Sequence, residues 1–443
     1  MTKIHTQNAP DIRVVKPHFL FGAVSFAVAV VLMLSAQTEL FLPHYHNKIL
    51  AIVHVNLLGW AMMLVYGSLY QLVPVVFETK LFSETLAKIT FWITGISVFL
   101  MAYSFWTGRL ADALVGSAVM MYSGLFLFVI NIGLTYRNAT IKNIKNFFII
   151  AAIFWLFFAQ TEGLLMALNF KYNFLEANNL YHLKIHATAG LVGFFIQMIF
   201  GVGTTLIPMF LVSHQHSEKP LKPSFALLNA GLLSITLSWL YFPDRIILTS
   251  GWTMILLSVL LYVKFVYDAY RQRFKRKLDE GMQPTMLIFI LVFLPVIFGI
   301  LLLWQDNPHA PLALTLTSLL LFSMIFGVIN LIILGQTYKT IPFIIWLERY
   351  QPYVGKYQIP LPKEVYNARL ALWQYRLYLV FFFLFMWAIF FKNEALLRTA
   401  LYILAAVAIG YNFNMLKMFF HKPVLKPLEK KRYKKTAESG SAV

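Results

Sequence analysis

The chain has 443 residues, 59% of them hydrophobic and only 12% charged. A soluble fold cannot hide that much apolar surface, because its exterior must still present polar groups to water. It has no cysteine, which rules out disulfides, iron–sulfur clusters and thiol catalysis, and its formal net charge of +19 is not distributed as a nucleic-acid surface would be.

The first seventeen residues are polar and lack an apolar core, so no cleavable signal peptide is expected, and the first apolar helix would serve as an uncleaved insertion signal. From there the sequence predicts twelve apolar spans: 18–37, 49–76, 89–107, 111–136, 147–168, 184–213, 223–242, 246–267, 284–304, 311–338, 370–391 and 395–420. Each run is long enough to cross a hydrocarbon core of roughly 30 Å at 1.5 Å per residue. The expected fold class is therefore all-α, a polytopic membrane domain over residues 1–420. A basic tail over 421–443 follows, expected to be disordered beside the membrane.

The basic residues fall on one side of these spans. Arg271, Arg273, Lys275, Arg276 and Lys277 share a short loop, and Lys422, Lys426, Lys430, Lys431, Arg432, Lys434 and Lys435 lie in the tail. With twelve spans both groups face the side of the N-terminus, which adds Lys3, Arg13 and Lys16, while the opposite loops carry few. This is the positive-inside pattern, so both termini are expected in the cytoplasm. The basicity thus reports topology in a lipid bilayer and not a nucleic-acid partner.

An internal repeat organises the spans. Gly59, Gly67 and Pro74 in the second are matched by Gly193, Gly201 and Pro208 in the sixth and by Gly327, Gly335 and Pro342 in the tenth. The copies are 134 residues apart, a coincidence of roughly one in ten thousand for this composition. Such glycines let helix backbones approach, and prolines near span ends are expected to break or kink them. A period holding four spans gives three units of equal orientation, about 17–142, 147–276 and 284–420. That pattern favours three four-helix arcs about an axis normal to the membrane over a transporter of two inverted halves.

The segment His54-Val-Asn-Leu-Leu-Gly59-Trp60, continuing to Gly67, Tyr70, Gln71 and Pro74, resembles the second helix of the haem-copper oxidase main subunit. It is also similar to the NnrS-type haem proteins linked to nitric-oxide stress. The resemblance in pattern runs along essentially the whole chain, loosely outside the second and sixth helices. It implies twelve helices in three arcs, a bacterial inner-membrane location, a b-type haem with His54 as a ligand, and quinol, a cytochrome or other respiratory subunits as partners. The chain departs from the family where the reaction centre is built. Spans 223–242 and 311–338 contain no histidine, although the family draws copper and haem ligands from its seventh and tenth helices. The tyrosine that follows the sixth-helix histidine in many oxidases also has no counterpart here. An oxidase-like scaffold without an intact oxygen-reducing haem–copper centre is the expectation, so full terminal oxidase activity is not expected.

Ionisable residues inside spans mark the candidate sites. His54 is the expected haem ligand, with Met324 of the tenth span as a candidate sixth ligand. His182 and His186 stand four apart on one helix face, a spacing that lets two imidazoles grip one metal such as copper. In the repeat frame His186 corresponds to position 52, so His54 and His186 are expected on different sides of their helices, with His186 resembling the family's copper ligand. Glu162, at a similar depth, is a candidate proton acceptor, metal ligand or counter-charge. The loop pairs His44/His46 and His214/His216 are weak candidates with two ligands each, the outer pair able to join His182 and His186 if the loops fold over. Two other functions fit the same sequence: a metal or small-molecule transporter, and a cofactor-free assembly subunit of a respiratory complex.

Overall fold

The computed structural model describes residues 8–175, 179–307, 309–423 and 425–427. Lys3 and the tail beyond 427 lie outside the described residues, so the expected disorder of that tail finds no test there. Among the described residues twelve helices are long and apolar enough to cross a membrane. They are α1 (Ile12–Ser35), α2 (Asn47–Val76), α3 (Glu84–Thr107), α4 (Ala113–Arg137), α5 (Ile144–Tyr172) and α6 (Leu180–Leu211), followed by α7 (Leu221–Tyr241), α8 (Arg245–Arg271), α9 (Met282–Leu303), α10 (Pro311–Arg349), α11 (Ala368–Phe391) and α12 (Glu394–Phe419). The chain is an all-helical polytopic membrane protein, as its hydropathy predicts. Among the described residues one strand pairing joins Tyr357–Gln358 to Lys426–Pro427, so the start of the tail is tied to the loop after α10.

The span ends follow local capping. Helix α1 starts six residues before the apolar run, because the Asp11 carboxylate accepts from the Arg13 backbone N–H at 2.7 Å and starts the helix ahead of Pro17. Asn143, Asp244, Asn367 and Asn393 cap α5, α8, α11 and α12 in the same way. Helix α10 departs most from expectation. Pro342 does not end it; the helix continues to Arg349, as α2 and α6 also continue past Pro74 and Pro208. A proline removes one backbone donor, and the packed ring holds the helix through that loss.

The inner helices are α2, α6 and α10, with 67%, 67% and 78% of their apolar windows buried, against 28–50% for the other nine. Each carries a π-helical segment at the same point of the repeat: Val55–Met62, Ala189–Ile196 and Ser323–Ile329. The starts are 134 residues apart, so the repeat extends to backbone geometry. Around them α3 packs on α4, α7 on α8 and α11 on α12, while α4 meets α5 and α12 returns to α1, closing the ring.

The repeat glycines act as helix-packing positions. A Cβ on Gly67 would meet Phe19 of α1 at 3.0 Å, one on Gly201 would meet Ile149 of α5 at 2.9 Å, and one on Gly335 would meet the Gly281 carbonyl before α9 at 2.7 Å. In each unit the second helix therefore closes on the first through its glycine.

The inner helices also touch one another. Asn56 of α2 and Asn330 of α10 exchange two amide hydrogen bonds at 3.0 and 3.1 Å, both side chains buried. Replacing one partner strands the other amide in an apolar interior. Asn330→Leu should thus cost about 1–3 kcal/mol, while the Asn56→Leu/Asn330→Leu double variant should recover most of it. A double-mutant cycle by denaturant titration in detergent measures this, and additive losses would count against the pairing.

Candidate functional site

The site lies where α2 and α6 meet, on the side of the membrane opposite the N-terminus. His54 is the last α-helical residue before the π segment of α2, and His186 stands three residues before that of α6. Such π segments recur at functional sites because the wider turn re-aims side chains. The centres of the two imidazole rings lie 6.4 Å apart and their planes are 18° from parallel. The expectation that these histidines lie on different sides of their helices in the repeat frame is compatible with this pairing. Three equivalent inner helices form a triangle, and each meets its two neighbours through two different faces. Residues opposed across α2 and α6 therefore come from non-equivalent repeat positions.

Both imidazoles are held by backbone carbonyls. His54 Nδ1 lies 2.7 Å from the Leu50 carbonyl, and His186 Nδ1 lies 2.8 Å from the Ala159 carbonyl of α5. A carbonyl only accepts, so each Nδ1 carries the hydrogen and each Nε2 keeps its lone pair. That is the arrangement in which a histidine ligates a metal through Nε2 while its other nitrogen is fixed by a second partner. Both side chains retain accessible surface although their helices form the inner ring.

Small residues make the room. A Cβ on Gly163 of α5 would stand 3.0 Å from His186 Cε1 and 3.2 Å from its Nδ1, so glycine lets this imidazole lie against α5. At Gly190 a Cβ would meet only Ala159 Cβ, at 3.9 Å. The Phe105 ring of α3 lies over His54 at 5.0 Å between centres. None of Ala159, Gly163 and Phe105 stood out in the sequence. The glycine next to Glu162 was the one available signal, since small residues beside a buried ionisable group mark close approach.

His182 and His186 do share a face turned toward α5, but His182 Nδ1 pairs with Glu162 Oε2 at 2.9 Å. Glu162 and His182 are only 5% and 8% exposed, so the pair satisfies a carboxylate that would be costly alone in an apolar span. No group of three or more His, Cys, Asp or Glu able to hold a metal occurs among the described residues. Met324 is buried within the π segment of α10, which meets α2 through Asn330.

The outer histidine loop does reach the end of α6. Burial, with the Lys184 charge nearby, pushes the His44 imidazole down to about 4. The folded value is below the ordinary 6.5, so this group's contribution to stability is intact above pH 6.5 and is lost as pH falls toward 4. Thermal unfolding should show wild type losing more stability than His44→Gln over that interval. Equal losses would place His44 in an open loop.

His54 and His186 are the two residues that would hold a haem iron here, each with Nδ1 tied to a carbonyl and Nε2 left as the donor atom, and the iron would supply one-electron chemistry.

No protein-family model matches the chain. It is 24% identical over 334 residues to an uncharacterized protein of Aquifex aeolicus (strain VF5), covering 74% of this chain and 77% of that protein. It is also 34% identical over 88 residues to the cbb3-type cytochrome c oxidase subunit CcoN1 of Stutzerimonas stutzeri. That match covers 20% of this chain and 19% of the oxidase subunit. The chain is thus a twelve-helix membrane protein similar over part of its length to an oxidase subunit.

Proposed function

We propose that this protein binds one b-type haem between His54 and His186 and works in electron transfer or gas handling on an oxidase-like scaffold. The observation that carries this reading is the pair of neighbouring imidazoles, with ring centres 6.4 Å apart, each with Nδ1 tied to a carbonyl and Nε2 keeping its lone pair. Haem iron bound there would supply one-electron chemistry. The chain's own part is to hold the two ligands in a fixed tautomer from two helices and to shield them from bulk water with Phe105. The Glu162–His182 pair places the one buried carboxylate of this region on α5, next to Gly163. A carboxylate so placed offsets positive charge on a bound metal.

The partial similarity to the oxidase subunit supports a respiratory setting, with quinol or a cytochrome as electron source. The missing histidines of α7 and α10 argue against an oxygen-reducing haem–copper pair, because that centre draws its ligands there. A cytoplasmic N-terminus in a bacterial inner membrane follows from the charge distribution and the resemblance. Pyridine haemochrome analysis of protein made in a haem-replete host tests the reading, and about one haem b per chain is expected. Haem-free protein from that host, above all with stoichiometric copper, would replace this reading with a metal-handling one.

A further inference from the structure

The face that the charge distribution assigns to the cytoplasm holds a groove of about 530 Å³ between the starts of α5 and α7. Its lining is amphipathic: Lys142 and Lys222, with Asn143, supply the polar part, and Ile144, Phe147 and Phe225 the apolar part. Phe147 is 44% exposed, and Phe225 packs on the buried Phe148 with ring centres 5.2 Å apart. Neither Lys142 nor Lys222 has an ion-pair partner among the described residues, whereas neighbouring Lys145 is neutralised by Glu218 at 2.9 Å. Two helix N-termini open here as well. That of α5 is capped by Asn143, and that of α7 has no side-chain cap. Their dipoles add positive potential to the two uncompensated lysines.

From this we infer that the groove is a binding site for an anionic phospholipid, its phosphate held between Lys142 and Lys222 and its acyl chains lying on Phe147, Phe225 and Ile144. Charge complementarity selects the headgroup. Cationic pockets between helices at this level of a membrane suit acidic lipid. The apolar floor selects a lipid over a free anion, because inorganic phosphate would leave three apolar side chains bare to water.

Native mass spectrometry of the full chain in detergent tests this, with phosphatidylglycerol and phosphatidylcholine of identical acyl chains added in turn. Wild type should retain phosphatidylglycerol in preference, and Lys142→Gln/Lys222→Gln should reduce that preference roughly tenfold. Lys142→Arg/Lys222→Arg should keep it, which separates charge from misfolding. Equal retention of the two lipids by wild type would overturn the proposal, as would an unchanged preference in the glutamine variant. Displacement of phosphatidylglycerol by inorganic phosphate, where chloride at equal ionic strength has no effect, would also overturn it in favour of a free-anion site.

Discussion

His54→Ala and His186→Ala should each abolish a six-coordinate, low-spin haem spectrum. In either case a bound iron would lose one of its two histidine ligands, so both variants should turn high-spin and shed haem more readily. Loss of a residue that only orients a ligand costs roughly 10–100-fold in metal affinity, and loss of a ligand should cost at least that. Met324→Leu should leave the spectrum unchanged, because the imidazole neighbouring His54 belongs to His186. Optical and electron paramagnetic resonance spectra of the three variants check this directly. If His186→Ala kept the wild-type spectrum while Met324→Leu altered it, the second ligand would lie on α10.

The second large effect is on stability. Gly335→Ala should destabilise the protein by about 1–3 kcal/mol, the usual cost of forcing extra volume into a packed interior. A Cβ there would stand 2.7 Å from the Gly281 carbonyl and 2.7 Å from Pro284 Cγ, and one on Gly281 would stand 2.8 Å from the Gly335 carbonyl. These neighbours are backbone and ring atoms that cannot rotate aside, so α9 and α10 must separate. Gly116→Ala is the contrast: no atom lies within 4 Å of its Cβ position, and alanine's better helix propensity should make it neutral or mildly stabilising. Unfolding in graded detergent denaturant should separate the two variants. Similar losses at both would mean that the close approach is relieved at small cost.

How much of this was readable beforehand depended on the scale of the signal. The twelve spans were legible because each is a long apolar run, and the 134-residue repeat because glycine and proline are rare enough to register. The π segments left no such mark, since they differ from α-helix by hydrogen-bond register and not by composition. The pairing of His54 with His186 was hidden for a geometric reason. Comparing repeat positions asks which residues are equivalent, whereas a triangle of helices opposes residues that are not. Spacing likewise put His182 beside His186 without revealing that His182 Nδ1 pairs with Glu162 Oε2. The length of α10 was not legible because its last turns carry Lys339, Glu348 and Arg349 and so leave the apolar run.

On the proposed reading, two histidines from different repeats hold one iron. Near-infrared magnetic circular dichroism of the ferric, haem-loaded wild type tests it most directly, because the charge-transfer band of low-spin haem reports the axial pair. A band characteristic of bis-imidazole ligation is expected. A histidine–methionine band, or a high-spin spectrum with no such band, would contradict it.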